Sequence, residues 1–161
     1  NPRWTVRKLV QEPFHLTGCP RDAEARATDA LNQVGLTVGD LDKYPHEFSG
    51  GQRQRIAIAR ALITEPEVLV LDEAVSALDV RVRAQVLALL ENLQERLGLA
   101  YLFITHDLTV VRAIADRILI MRTGWIVEQG QTAQVFDAPQ HDYTRTLIAA
   151  APVIPADWLA A

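Results

Sequence analysis

A short aliphatic run near the middle of the chain limits the possible folds more than any other sequence feature. Val68–Leu71 contains no polar residue and is followed directly by Asp72 and Glu73. An uninterrupted run of this kind is typical of a β-strand that is buried on both faces in a parallel sheet. The sequence therefore predicts a central parallel strand with two adjacent carboxylates at its end.

The residues after this strand complete a crossover unit. Apolar residues recur at helical spacing over residues 82–97, and Gly98 ends the pattern, which predicts a long amphipathic helix. Ala100–Thr105 then predicts a second buried strand. Strand, helix and strand in this order form a right-handed crossover with parallel strands, which predicts an α/β layer fold.

Helical spacing and turn residues predict the remaining elements. They are a brief helix over Val6–Val10, a helix over Arg21–Val34, a helix from Ser49 to about Ile63, a helix over Asp107–Ala115, and a hairpin of Ile118–Met121 with Trp125–Glu128. With 161 residues, we expect one folding unit.

Composition excludes several classes of function. The net charge of −4 provides no broad basic surface, so we expect neither nucleic acid nor an anionic membrane surface as a direct partner. No stretch reaches the ~20 apolar residues of a membrane helix. Cys19 is the only cysteine, which fits a reducing compartment. The chain begins with Asn1 and its only methionine is Met121, so we expect sequence upstream.

Two glycines at the start of a predicted helix suggest an anion site. In Ser49–Gln52, Gly50 and Gly51 would let the backbone approach a ligand, and the first turn of the helix would direct free N–H groups at it. The alternative is a serine cap with glycines in a turn. The pair Asp72 and Glu73 also allows two interpretations by itself. One carboxylate could hold Mg²⁺ while the other polarises a water, or the pair could form a helix cap or lie in a surface loop.

Four motifs in chain order resemble those of ABC-type ATPases. Ser49–Leu62 resembles the signature motif and its helix, and Val68–Glu73 resembles the Walker B strand. Ser76–Asp79 is similar to the D-loop, and Thr105–Asp107 is similar to the switch-histidine loop. The resemblance implies the second half of a RecA-like P-loop ATPase core, with a parallel sheet and flanking helices, preceded by an α-helical signalling subdomain.

The same resemblance implies roles for three residues in ATP hydrolysis. Asp72 would belong to the Mg²⁺ shell, Glu73 would be the general base, and His106 would sense the γ-phosphate. His106 is also plausible from its position, since it follows a strand beside the one that ends in Asp72. His15, His46 and His141 lie in loop-like segments, where we expect surface or capping roles.

A second group of residues is implied to act between subunits. Ser49, Gly50, Gly51 and Gln52 would hold the ATP that is bound by a partner ATPase subunit, and Asp79 would lie at the dimer interface. Arginines on the signature helix could suggest nucleic acid, but the net negative charge favours a solvated face or a subunit contact. We expect Trp4, Trp125 and Trp158 to be packing residues.

Both ends of the chain resemble ATPases of oligopeptide, dipeptide and nickel importers. Asn1–Val6 is similar to the segment after their Q-loop, and Pro139–Arg145 is similar to the start of their C-terminal extension, although Asp142 replaces the usual proline. The implied domains are a helical subdomain over residues 1–63, half of the ATPase core over 64–138, and the start of the extension over 139–161.

The resemblance implies an ATPase subunit that drives solute import, peripheral to the cytoplasmic face of the membrane and bound to permease subunits without inserting into the bilayer. No Gly-x-x-x-x-Gly-Lys-Ser/Thr phosphate loop occurs in the sequence. We therefore expect the 161 residues alone to be inactive. The alternatives are a soluble ABC ATPase of translation or DNA repair, or a non-catalytic interaction module. No heptad run supports the coiled coil of a repair protein.

Overall fold

Four helices form most of the N-terminal part of the structure, which is a computed structural model that describes residues 1–151. Their bounds are Val6–Val10 for α1, Phe14–Thr17 for α2, Ala23–Gln33 for α3 and Gly50–Leu62 for α4. The predicted helices α1, α3 and α4 are confirmed. Residues 14–17 were expected to be loop, but they form the single turn α2, in which Phe14 is buried and His15 is exposed.

Helices α1, α3 and α4 pack against one another and bury the apolar residues of each. Val6 and Val10 of α1 and Leu31 of α3 are fully buried, and Ile56 of α4 is nearly so. Two short 3₁₀ turns, Val38–Asp40 and Pro45–Glu47, connect α3 to α4.

The long helix α5, Val80–Leu97, has the predicted position and length. Its buried residues are Ala84, Val86, Leu87, Leu90 and Leu93. Gly98 ends the helix with a φ of +67°, in the left-handed region where glycine avoids the steric cost of a Cβ atom. The Tyr101 hydroxyl donates a hydrogen bond of 2.8 Å to the Leu90 carbonyl, and partial burial raises the pKa of Tyr101 to about 12.

Strands β1, Val68–Asp72, and β2, Ala100–Ile104, pair in parallel. The Ala100 N–H donates to the Glu67 carbonyl at the start of the pair, and the Glu73 N–H donates to the Ile104 carbonyl at its end, both at 2.9 Å. This arrangement confirms the expected α/β class.

The expected burial of these strands is wrong. Leu69 and Leu71 are buried, but Val68 and Val70 are 56% and 61% exposed, and alternate residues of β2 are exposed as well. The strands therefore have one covered and one uncovered face among the described residues. The aliphatic run could not reveal this, because burial of the second face depends on which other elements cover it.

The C-terminal part, up to residue 151, contains an antiparallel hairpin and three helices. The hairpin consists of β3, Arg117–Arg122, and β4, Trp125–Gln131, and the helices are α6, Leu108–Ile114, α7, Thr132–Asp137, and α8, Asp142–Ala150. Ile118, Ile120 and Val135 form its buried core. The predicted hairpin and α6 are confirmed.

Glu128 connects the hairpin to the start of α8. Its carboxylate accepts the Gln140 N–H at 2.8 Å and the His141 N–H at 3.0 Å. These hydrogen bonds, with that from Gln140 the largest cause, lower the pKa of Glu128. His141 has the expected capping role, since its Nδ1 accepts the Tyr143 N–H at 3.1 Å.

The described chain divides into two compact units, whereas one folding unit was expected from its length. The first contains Asn1–Leu71 and Ala77–Leu102, and the second contains Asp72–Ser76 and the residues from Phe103 onward. The boundaries inferred at residues 63 and 138 stay predictions. Within residues 1–151, no helix combines the length and apolar character needed to cross a bilayer.

Candidate functional site

Asp72 and Glu73 lie at the C-terminal end of β1, where the sequence predicted them. Asp72 is the last residue of the strand, and both residues are exposed. In a parallel pair of strands, residues at this end can meet a ligand without charge being buried in the core. Carboxylate oxygens at such an edge are suitable ligands for Mg²⁺ and suitable acceptors for the proton of a water.

The backbone of Glu73 has a left-handed conformation. Its φ is +49°, a value that costs a non-glycine residue about 1–2 kcal/mol. Hydrogen bonds fix it on both sides: its N–H donates to Ile104, and its carbonyl accepts the N–H of Ser76 at 3.2 Å and the Ser76 hydroxyl at 2.9 Å. A strained residue held by several hydrogen bonds is typical of a functional position.

The Glu73 side chain contacts His106, which follows β2. The distance between Glu73 Oε1 and His106 Nδ1 is 2.8 Å. An ionised carboxylate can only accept, so Nδ1 is the donor in this bond. The neutral ring then presents Nε2 as an acceptor, whereas the doubly protonated ring presents an Nε2–H donor that a phosphate could accept.

The turn that carries His106 is stabilised by its two neighbours. The Thr105 hydroxyl accepts the Asp107 N–H at 3.0 Å, and Asp107 caps α6 by accepting the Thr109 N–H at 2.9 Å. His106 lies between Thr105 and Asp107 in the chain, and its own side chain is 77% exposed. The imidazole is therefore anchored by its backbone and by Glu73, and its remaining edge is accessible.

The predicted signature residues form the first turn of α4. The Ser49 hydroxyl accepts the Gln52 N–H at 3.3 Å, and Gln52 Oε1 accepts the Ser49 N–H at 3.0 Å, which completes a capping box. Ser49, Gly50 and Gln52 are exposed, whereas Gly51 is buried. The serine-cap interpretation is thus realised, and it is compatible with an anion at the same helix end.

Asp79 caps the N-terminus of α5. Its Oδ1 accepts the Val82 N–H at 3.0 Å, and its carbonyl accepts the Arg83 N–H at 2.8 Å. Asp79 is exposed. Its local role is to start the helix, while its place at a dimer interface stays a prediction.

The eight predicted site residues fall into the two compact units. Asp72, Glu73 and His106 belong to the second unit, where Glu73 and His106 are in direct contact; the first unit contains Ser49, Gly50, Gly51, Gln52 and Asp79. The residues Ser49–Gln52 in the first turn of α4 are called the signature turn below. A cavity of about 400 Å³ in the first unit is lined by residues of this turn and of α5, including Gly51 and Val82.

Sequence reasoning missed two residues that support the site. Ser76 holds the carbonyl of Glu73, and Val82 packs against Gly51. The signal in the sequence is limited to spacing, which is compatible with a turn at Ser76 and with a cap at Val82 but does not reveal the contact of Val82 with Gly51. Ser76 follows Glu73 by three, and Val82 follows the cap Asp79 by three.

The arginines of α4 bind backbone carbonyls and an acidic side chain. Arg53 donates to the Phe48 carbonyl at 3.0 Å, Arg55 donates to the Val34 carbonyl at 2.9 Å, and Arg60 pairs with Glu12 at 3.2 Å. The predicted solvated face is therefore only partly right, because these arginines also fix α4 to its neighbours, whereas the alternative of a subunit contact stays a prediction.

The expected packing roles of the tryptophans are not uniform. Trp125 is 76% exposed, so its predicted packing role is wrong. It is the first residue of β4 and follows the turn of the hairpin directly. Trp4 is half-buried, and the Lys8 ammonium lies 4.6 Å from the centre of its ring. Trp158 lies outside the described residues.

His46 stacks on Tyr44, with ring centres 5.7 Å apart.

Two regions of the chain match the models of known protein families. The family described as ABC transporter matches residues 1–76, and the family described as oligopeptide/dipeptide transporter, C-terminal region, matches residues 127–160. Over these two regions the chain is similar to proteins of the ABC transporter family. The first match includes the signature residues together with Asp72 and Glu73, and the second includes the start of the expected C-terminal extension.

Curated relatives of this family are similar along almost the whole chain. The dipeptide transport ATP-binding protein DppF of Haemophilus influenzae is 49% identical over 94% of this chain and 47% of its own length. The glutathione import ATP-binding protein GsiA of Shigella flexneri is 52% identical over 95% of this chain and 25% of its own length. The chain thus spans between a quarter and about half the length of these relatives.

Solved structures of ABC proteins share the fold. CbiO1 of Clostridium perfringens, described as part of the ABC transporter complex cbiONQ, aligns with a TM-score of 0.73 and 32% identity over 84% of this chain and 54% of that one. A metal-chelate type ABC transporter in an inward-facing conformation aligns with a TM-score of 0.78 and 27% identity over 92% of this chain and 59% of that one. The expected α/β ATPase fold is confirmed.

Proposed function

We propose that this chain is the part of an ABC importer ATPase that extends from the helical subdomain to the C-terminal extension. The complete subunit hydrolyses ATP to drive uptake of peptides or of a related small solute such as nickel. The observation that carries the proposal is the contact between Glu73 and His106 at the ends of adjacent parallel strands. Relatives named for dipeptide, oligopeptide and glutathione transport support the class of solute.

In this proposal Glu73 is the general base. Its carboxylate accepts the proton of the water that attacks the γ-phosphate of ATP, and the hydrogen-bonded turn at Ser76 keeps that carboxylate in place. His106 holds the carboxylate through Nδ1 and presents its other edge to the γ-phosphate. Its position between two strand ends supports both tasks.

Asp72 would hold Mg²⁺ in the same proposal. Its carboxylate is exposed at the end of β1, and hard oxygen ligands of this kind fit the ion. Bound Mg²⁺ would supply charge neutralisation on the phosphate oxygens. Asp72 and Glu73 thus have different tasks, although they are adjacent.

The remaining site residues act between subunits. Ser49, Gly50, Gly51 and Gln52 present the first turn of α4 to the ATP held by a second ATPase subunit, and Asp79 lies at the interface of the two. The free N–H groups of a helix start favour a phosphate, which supports this assignment. The subunit works on permease partners, peripheral to the cytoplasmic face of the membrane, without entering the bilayer.

A graft tests the proposal. Residues of this chain replace the matching portion of DppF of Escherichia coli, to which it is 50% identical over 160 residues. We expect the graft to release phosphate from Mg-ATP and to restore dipeptide uptake in cells that lack DppF. The matched control is the same graft with Glu73→Gln, which should bind ATP and release little phosphate. A folded graft that binds ATP without hydrolysing it would contradict the ATPase assignment.

A further inference from the structure

Val82 of helix α5 meets Gly51 in the first turn of α4. A Cβ atom placed on Gly51 would lie 2.5 Å from Val82 Cγ1, closer than carbon atoms can approach. The same atom would lie 3.8 Å from Val82 Cβ, an ordinary contact distance. The Cγ1 methyl group of Val82 therefore occupies the space that a side chain at position 51 would need.

Val82 is held in place from two directions. Its N–H is bound by the carboxylate of Asp79 at 3.0 Å, so its backbone is fixed to the cap of α5. Its side chain is β-branched, and such side chains keep one χ1 rotamer in a helix. The Cγ1 methyl therefore cannot rotate away cheaply. Leu78, just before the cap, lies 3.8 Å from the position of a Cβ on the neighbouring Gly50.

We propose that Val82 is a positioning residue that couples the Asp79 cap to the signature turn. The methyl contact sets the distance between the start of α5 and the start of α4. Asp79 and Gly51 then move together, so that a displacement of the D-loop shifts the signature N–H groups. The effect on ATP rests on the proposed function, whereas the contact itself does not.

The first experiment uses one substitution in two backgrounds and needs no nucleotide. In the complete subunit, Gly51→Ala should lower Tm by roughly 2–5 °C, because the new methyl overlaps Val82. In a Val82→Ala background the overlap is gone, and alanine is the better helix former, so the same substitution should leave Tm unchanged or raise it. The change of sign is the expected result.

Val80 provides the matched control. It is a valine of the same helix, 62% exposed, and Val80→Ala should leave the destabilising effect of Gly51→Ala as it was. A loss of Tm in the Val82→Ala background as large as in the wild type would overturn the proposal. If the Gly51→Ala variant does not fold, the double variant Gly51→Ala with Val82→Ala decides the question. A folded double variant supports the contact. An unfolded double variant, together with a folded Val82→Ala variant, overturns the proposal.

The second experiment measures ATP hydrolysis by the same variants. Displacement of the signature turn should raise KM for ATP about tenfold in Gly51→Ala with a smaller change in kcat, and Val82→Ala should restore most of the KM. A purely structural defect would lower the active fraction, and hence kcat, without moving KM. If the wild-type subunit has no ATPase activity, the proposed function is refuted, and the Tm measurements alone decide the contact between Val82 and Gly51. If Val82→Ala restores the Tm of Gly51→Ala but not its KM, the coupling is refuted.

Discussion

The substitution Glu73→Gln separates chemistry from structure at the candidate site. The amide oxygen of glutamine can still accept the hydrogen bond from His106 Nδ1, now 2.8 Å from the carboxylate. The two side chains are 41% and 77% exposed, and at such exposure even a charged pair contributes only about 0.2–1 kcal/mol. We therefore expect the free energy of unfolding to change by less than about 1 kcal/mol.

The effect on turnover should be several times larger. An amide cannot accept the proton of the attacking water, and loss of a general base slows a reaction by about 10²–10⁴-fold. In activation free energy this is roughly 3–5 kcal/mol, well above the stability effect. Turnover is measured as phosphate release at saturating Mg-ATP in the complete subunit, and light scattering should show dimers that accumulate with ATP trapped.

Glu67→Gln is the control for charge. Glu67 stands just before the same strand and is exposed, so its replacement removes one negative charge at the opposite end of β1. We expect Glu67→Gln to hydrolyse ATP at the wild-type rate. Near-normal phosphate release by Glu73→Gln would refute the reasoning, because the proton would then have another acceptor.

Three further predictions concern stability, measured by urea unfolding. Asp79→Ala removes the acceptor for the Val82 N–H and should cost about 0.5–2 kcal/mol, whereas Asp79→Asn should retain most of the cap. Gly98→Ala should cost about 1–2 kcal/mol from its φ of +67° alone, since nothing lies within 4 Å of the added methyl, and Gly98→Asn should cost less. The pKa of the Glu128 carboxyl is lower in the folded state than its usual value of 4.5. Its contribution to stability is therefore complete above pH 4.5 and is lost as the pH falls through the folded-state pKa. Glu128→Gln should make the free energy of unfolding less dependent on acid pH.

Local signals in the sequence were sufficient for most of the elements. The cap Ser49 and the stop Gly98 each fixed a helix end, because both act on backbone groups within a few residues of themselves. The burial of Val68 and Val70 was predicted wrongly, since an aliphatic run describes the strand and not the elements that cover it. The exposure of Trp125 depends on tertiary contacts in the same way.

The candidate site was predictable to the extent that topology alone brings residues together. Adjacent parallel strands end at the same edge, which is why Glu73 and His106 could be expected to meet. The left-handed backbone of Glu73 and its bond to Ser76 could not be read from the strand pattern, because a strand pattern ends where the turn begins. The contact of Val82 depends on helix packing, which no local pattern specifies.

The placement of the site residues at element ends explains why function and stability can be tested separately. Glu73 and His106 follow strands β1 and β2, and Asp79 precedes α5, so none of the three occupies the buried stripe of an element. The stripe itself contains residues such as Leu90, for which truncation to alanine should cost about 2–5 kcal/mol. Variants of Glu73 and His106 leave that stripe intact, and their losses of turnover can therefore be assigned to chemistry. Asp79 differs because its carboxylate also starts a helix, so its variants need the stability measurement before any loss of turnover is assigned to the subunit interface.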